Sequence, residues 1–135
     1  MRIDCAQLRS CTLLCVLVLS SCKGTSPLTA NPSIAVKSFY MSCNAREYSK
    51  AEDQIASDIK KQLHGQSGAL SDGVKLACDN LSRKGTITTI DVVGEEIRGN
   101  VADVNSKIHY KDGTSINDHE PLVKENGSWM ITSGQ

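Results

Sequence analysis

Cysteine is the residue type with the most chemistry to assign in this chain: six stand at positions 5, 11, 15, 22, 43 and 78 of 135 residues. A thiol can be acylated, joined in a disulfide or bound to a metal, and its surroundings separate these fates. Cys22 directly follows an apolar run that ends in Ser20 and Ser21. Cys43 and Cys78 stand far apart, with no Cys-x-x-Cys and no closely spaced histidine pair beside them. That is too few ligands for a zinc site, so no metal and no cofactor are expected.

The first 21 residues have the layout of a secretory signal. Arg2 and Arg9 supply positive charge and residues 13–19 form the apolar stretch. That stretch is shorter than the about 20 apolar residues a spanning helix needs. A buried N-terminal core helix is the competing reading, but nothing caps it and a loose polar segment follows. Leu19-Ser20-Ser21-Cys22 resembles the lipobox of bacterial lipoproteins, Leu followed by two small residues and Cys. In proteins of that type the leader is cut just before the Cys, which is lipidated and becomes the mature N-terminus. One acyl chain holds a protein only reversibly, at about 0.8 kcal/mol per buried CH₂, so a durable anchor needs several chains on one residue. Cys22 would carry them.

This sorts the thiols. Cys5, Cys11 and Cys15 leave with the leader, and Cys43 and Cys78 remain in the folded part. In an oxidising envelope that pair reads as a disulfide, with two separate buried thiols as the alternative. A bridge closing so long a loop would stabilise the fold by about 4 kcal/mol in the chain-entropy model.

Other reactive residues offer less. Asp91, Asp103 and Asp118 lie in strand-like segments, where a pocket carboxylate could act as a base, but no motif sets any of them beside a donor and a solvated face is the expected setting. No nucleophile elbow, P-loop, dinucleotide fingerprint or HExxH is present, so no catalytic residue is assigned and the chain is expected not to be an enzyme. A net charge of +0 and the lack of a basic run argue against nucleic acid. The group with the best claim to line a ligand pocket is Ser106, Tyr110, Asn117 and His119, which a two-residue hairpin turn would bring to one apolar face.

The elements that must position these residues follow from periodicity. One domain is the limit for this length. Residues 23–30 are small and polar, a tether reaching at most about 30 Å. Asn31-Pro32 reads as a helix cap and first turn, and Ala35, Val36, Phe39, Tyr40 and Cys43 form an apolar stripe. Tyr40 and Trp129 are expected as core aromatics. A second helix is expected from a Ser49/Glu52 capping box through Ala51, Ile55, Ile59 and Leu63 to a stop at Gly65, with Lys60 and Lys61 offsetting its dipole. Val74, Leu76, Ala77, Cys78 and Leu81 suggest a third helix ending near Gly85. From Thr86 the period becomes two, giving four strands with turns at Gly99-Asn100, Asp112-Gly113 and Asn126-Gly127. A two-residue turn at Asp112-Gly113 would set Lys107 opposite Asp118, His109 opposite Ile116 and His119 opposite Ser106, with His109 and His119 on opposite faces. Pairing across Gly99-Asn100 sets Glu96 against Asp103. A one-residue bulge at Gly94 is then needed to return Ile90 and Val92 to the apolar face, which curves the sheet. The polar third strand, interrupted by Pro121, has no evident way to close the sheet.

Helices followed by a curved antiparallel sheet is the layout of the cone-shaped fold of nuclear transport factor two and ketosteroid isomerase. The segment from Asn31 onward, with Pro32, the Phe39-Tyr40 pair, Glu47, Tyr48 and Ala51, resembles a family of small bacterial lipoproteins of unknown function with that cystatin-like cone. IHYKDGTS and LVKENGSWMI resemble the strand, Asp-Gly turn and Trp-bearing end of the same family. The resemblance implies an α+β fold, N-terminal helices packed on a curved four-stranded antiparallel sheet, and no particular activity. The domain organisation expected is a signal peptide at 1–21, lipidated Cys22 and tether at 22–30, and one domain at 31–135. The function expected is a membrane-anchored envelope lipoprotein with a non-enzymatic binding domain, its partners the membrane and an envelope protein or small ligand. Lys23 resembles an outer-membrane address, facing the periplasm. The alternative is a small ketosteroid-isomerase-like enzyme or ligand binder using the cone. An inhibitor acting through the loop at 65–71 is a weaker third.

Overall fold

The computed structural model describes residues 30–63 and 68–134. Helix α1 (Pro32–Asn44) begins as its sequence dictates: the Asn31 side chain accepts from the backbone N–H of Ser33 at 2.8 Å, and Pro32 fills the first helical position. Its stripe of Ala35, Val36, Phe39, Tyr40 and Cys43 is buried.

The single second helix expected through Ala51 and Leu63 is two short ones, α2 (Tyr48–Asp53) and α3 (Ser57–Gln62). The interruption is tertiary in origin. Residues 54–56 pair with the last strand: the N–H of Ile131 donates to the Gln54 carbonyl and that of Ala56 to the Ile131 carbonyl, both at 2.8 Å. The segment thereby covers a sheet edge that would otherwise stand open. The Ser49/Glu52 capping box does not form, because Ser49 lies inside α2 behind Glu47. At the start of α3 the Glu125 carboxylate accepts from both the N–H (3.0 Å) and the hydroxyl (2.8 Å) of Ser57. Lys60 and Lys61 do sit in the last turn of α3.

Helix α4 (Ala69–Ser82) buries Val74 and Cys78, with Leu70 and Leu81 packed beside them. Leu76 and Ala77, expected on that stripe, face solvent. The Cys43–Cys78 disulfide joins α1 to α4.

Four antiparallel strands follow in meander order: β1 (Ile87–Arg98), β2 (Val101–Tyr110), β3 (Ser115–Glu125) and β4 (Ser128–Ile131). The β1–β2 register places Glu96 opposite Asp103 and breaks between Val92 and Gly94. Val93 is the extra residue of this bulge, one position before Gly94, and Ile90 and Val92 return to the face of Ile108 and Ser106. Bulges bend the strand that carries them.

The β2–β3 turn differs from the expected two-residue form. Tyr110 N–H donates to the Thr114 carbonyl and Gly113 N–H to the Tyr110 carbonyl, so the loop is residues 111–113 with Gly113 at φ +86°. A type I turn followed by a left-handed glycine is the usual three-residue solution. Its consequence is a one-residue shift: Lys107 opposes Asn117, Ser106 opposes Asp118, Asn105 opposes His119 and His109 opposes Ser115. Because side chains alternate, that single step exchanges the faces of the third strand.

Pro121 sits within continuous β3, opposite Asp103. Its carbonyl accepts from the N–H of Thr132, one residue beyond the last strand, so the donor it lacks falls at the very end of the β3–β4 ladder and only that terminal bond is lost. One face of the sheet, carrying Ile90, Val104, Ile108, Leu122, Trp129 and Ile131, packs under the helices to form the core. The other face is open.

Candidate functional site

Tyr40 is wholly buried where α1 crosses the sheet, and its hydroxyl points at two acids of β3. It lies 3.1 Å from Asp118 Oδ2 and 3.0 Å from Glu120 Oε1. Asp118 and Glu120 alternate with Ile116 and Leu122 on the helix-covered face, so the strand inserts two half-buried carboxyls into an apolar row. Burial, and then the neighbouring charge of Asp118, push the Glu120 carboxyl up to about 7, against the opposing pull of the Tyr40 hydroxyl and of His119. Burial beside the same two carboxyls raises the Tyr40 phenol far above its ordinary value.

Two further hydroxyls belong to this face. Ser106 is directly opposite Asp118, and Tyr110 lies four residues further along β2 on the same face, with Ile108 between them. Both are buried, and neither hydroxyl has a hydrogen-bond partner. Burial and the charges of Asp118 and Asp112 raise the Tyr110 phenol.

The structure therefore brings together Ser106 and Tyr110 of the expected pocket group and separates them from Asn117 and His119, which are exposed on the open face. The three-residue turn is the cause. Asp118, expected on a solvated face, is turned inward by the same step. Tyr40 is a core aromatic as its spacing implies, but its hydroxyl is engaged. Glu120 carried no signal of its own; only the alternation Ile116, Asp118, Glu120, Leu122, read in the correct register, reveals it.

On the open face His109 and His119 share one side, a second reversal of the expected register. Each has its own acid: His109 Nε2 is 3.0 Å from Asp91 Oδ2, and His119 Nε2 is 3.1 Å from Asp103 Oδ1. Arg98 also pairs with Asp103. A groove of about 700 Å³ runs past Arg98, Asp103, His119 and Asp58, and a shallower hollow of about 530 Å³ lies over Val93, Asn105, Asn117 and His119. Among the described residues no cluster of three metal-binding side chains occurs. Cys22, the signal at 1–21 and the tether up to residue 29 lie outside the described residues, as does Gly65 with the first part of the 65–71 loop.

No protein-family model matches the chain. No curated protein matches it either. Solved structures do. A candidate NTF2-like transpeptidase of Campylobacter jejuni superposes with a TM-score of 0.65 at 15% identity, over 76% of this chain and 97% of that one. A SEC-C-motif-containing protein of Rhodopseudomonas palustris superposes with a TM-score of 0.55 at 14% identity, over 78% of each chain. Identities this low speak to architecture alone. Helices leading into a four-stranded antiparallel meander, together with the Campylobacter similarity, give the chain an α+β fold of the nuclear-transport-factor-two-like type.

Proposed function

We propose that the chain is a lipid-anchored lipoprotein of the bacterial envelope whose nuclear-transport-factor-two-like domain is a binding module. The observation that carries this reading is the Cys43–Cys78 disulfide. Disulfides persist in oxidising compartments, and the two cysteines that lie beyond the proposed lipidation site are the two that pair. Cys22 at the end of the apolar leader supplies the anchor, and Lys23 directs it to the outer membrane, domain in the periplasm. Radioactive palmitate should label the wild type and not Cys22→Ser; equal labelling of both ends the anchor.

A second reading, a small enzyme, is favoured by one observation: an acid held near neutrality beside a phenol suits proton transfer. The Campylobacter neighbour's name would suggest acyl transfer, which needs an activated nucleophile. Here Cys43 and Cys78 are bonded to each other and the Ser106 hydroxyl has no base within hydrogen-bond reach, which favours binding over catalysis. Turnover of ester, amide or enolisable ketone substrates that Glu120→Gln abolishes would favour the enzyme.

A further inference from the structure

Ser106 Oγ and Tyr110 Oη are unpaired in residues only 1% and 3% exposed, whereas buried polar atoms of folded proteins nearly always have a partner. The two hydroxyls share a face with Asp118 and Glu120. Ser106 and Asp118 are directly paired across strands, which sets their Cβ atoms about 4.5–5.5 Å apart. Among the described residues no lysine or arginine forms an ion pair with Asp118 or Glu120. The cluster is thus rich in acceptors, poor in cations, and reached from solvent through its two half-buried carboxyls.

A missing partner must match that inventory. An anion would face two acids. A calcium-like ion would need six or more oxygens, and no metal-grade cluster stands here among the described residues. A primary ammonium group has three N–H donors and one charge, matching two carboxyls and a hydroxyl oxygen.

We propose that the helix-covered face binds a small primary amine, its ammonium group donating to Asp118, Glu120 and the Ser106 hydroxyl, with Tyr110 contacting the adjoining polar part of the ligand. This deepens the binding-module reading and is independent of the anchor, so loss of palmitate labelling and loss of ligand binding are separate outcomes. The groups facing Glu120 are Tyr40 from α1 and Asp118 from β3, while β2 sets the uncharged Val104 opposite it and His119 acts on it only through its charge from the other face of the sheet. An arriving cation favours ionised Glu120, so binding releases a proton near neutrality and tightens as pH rises through about 7.

The test is titration of the isotope-labelled full-length chain with n-butylammonium chloride, with 1-butanol as the uncharged control, followed by amide chemical shifts. At about pH 8 the ammonium should cause saturable shifts at Ser106, Asp118 and Glu120, and affinity should fall at least about fivefold at about pH 5.5. Asp118→Asn should weaken binding at least about tenfold. Ser106→Ala, which removes an unpaired hydroxyl and leaves a folded protein, should weaken it severalfold without lowering stability. No saturable response, an equal response to 1-butanol, or unchanged affinity in folded Asp118→Asn overturns the site. So does a long-lived internal water at Ser106 and Tyr110 that the ammonium does not displace.

Discussion

The Tyr40 hydroxyl stands 3.0 Å from Glu120 Oε1, joining the first helix to the third strand through the core. Asp118 Oδ2 is 3.1 Å from the same oxygen. A phenol has one hydrogen and cannot donate to two carboxylates at once. The two acids therefore share one donor, and the phenol donates to Asp118 or to Glu120 in turn.

Tyr40→Phe removes this bridge. The variant should lose about 1–3 kcal/mol of stability in urea unfolding at neutral pH, the range for stranding buried partners. The phenol lowers the Glu120 value, so in the variant Glu120 should titrate above about 7. A carboxyl titration followed by NMR that stays in place or moves down contradicts the bridge.

Stability should depend on Glu120 in a defined pH window. Its folded value, about 7, lies above the ordinary 4.5, so the folded protein holds this proton more tightly than the unfolded chain. The contribution is complete below 4.5 and lost as pH rises through about 7. A gap of about 2.5 at about 1.36 kcal/mol each bounds it at about 3 kcal/mol. Urea midpoints measured at intervals from acid to mildly alkaline pH should fall over this window in the wild type and stay flatter in Glu120→Gln.

The bridge between α1 and α4 closes a sequence separation of 35 residues. Replacing both Cys43 and Cys78 by Ala should cost about 4 kcal/mol in the chain-entropy model. Alkylation of the native protein without reductant should leave both residues unmodified. Ready modification of a folded sample would show the bridge is not formed.

Gly113 sets the register that builds the site. Its φ of +86° disfavours any side chain, so Gly113→Ala should cost about 1–2 kcal/mol. Gly94 has no such backbone, and an added Cβ would meet Asn105 Nδ2 at an ordinary 3.5 Å. Gly94→Ala should therefore stay within about 0.5 kcal/mol. Equal effects on the urea midpoint would contradict the turn geometry.

Local signals were legible where they acted alone. Asn31, Pro32 and a clean apolar stripe define α1, and the conflict between Glu96, Asp103, Ile90 and Val92 forces a bulge within one residue of where it occurs. The break between α2 and α3 was not legible, because residues 54–56 carry no glycine or proline and leave the helix to pair with Ile131. The site was half legible for a similar reason. Asp112-Gly113 fits turns of two and of three residues, and that one-residue ambiguity decides whether Asn117 and His119 or Asp118 and Glu120 face the core.

The intact mass of the protein recovered from a membrane fraction tests the account most directly. We predict a chain that begins at Cys22, heavier than its polypeptide by several acyl groups and lighter by the two hydrogens of the Cys43–Cys78 bridge. A chain of unmodified mass that still begins at Met1, recovered from the soluble fraction, would contradict it.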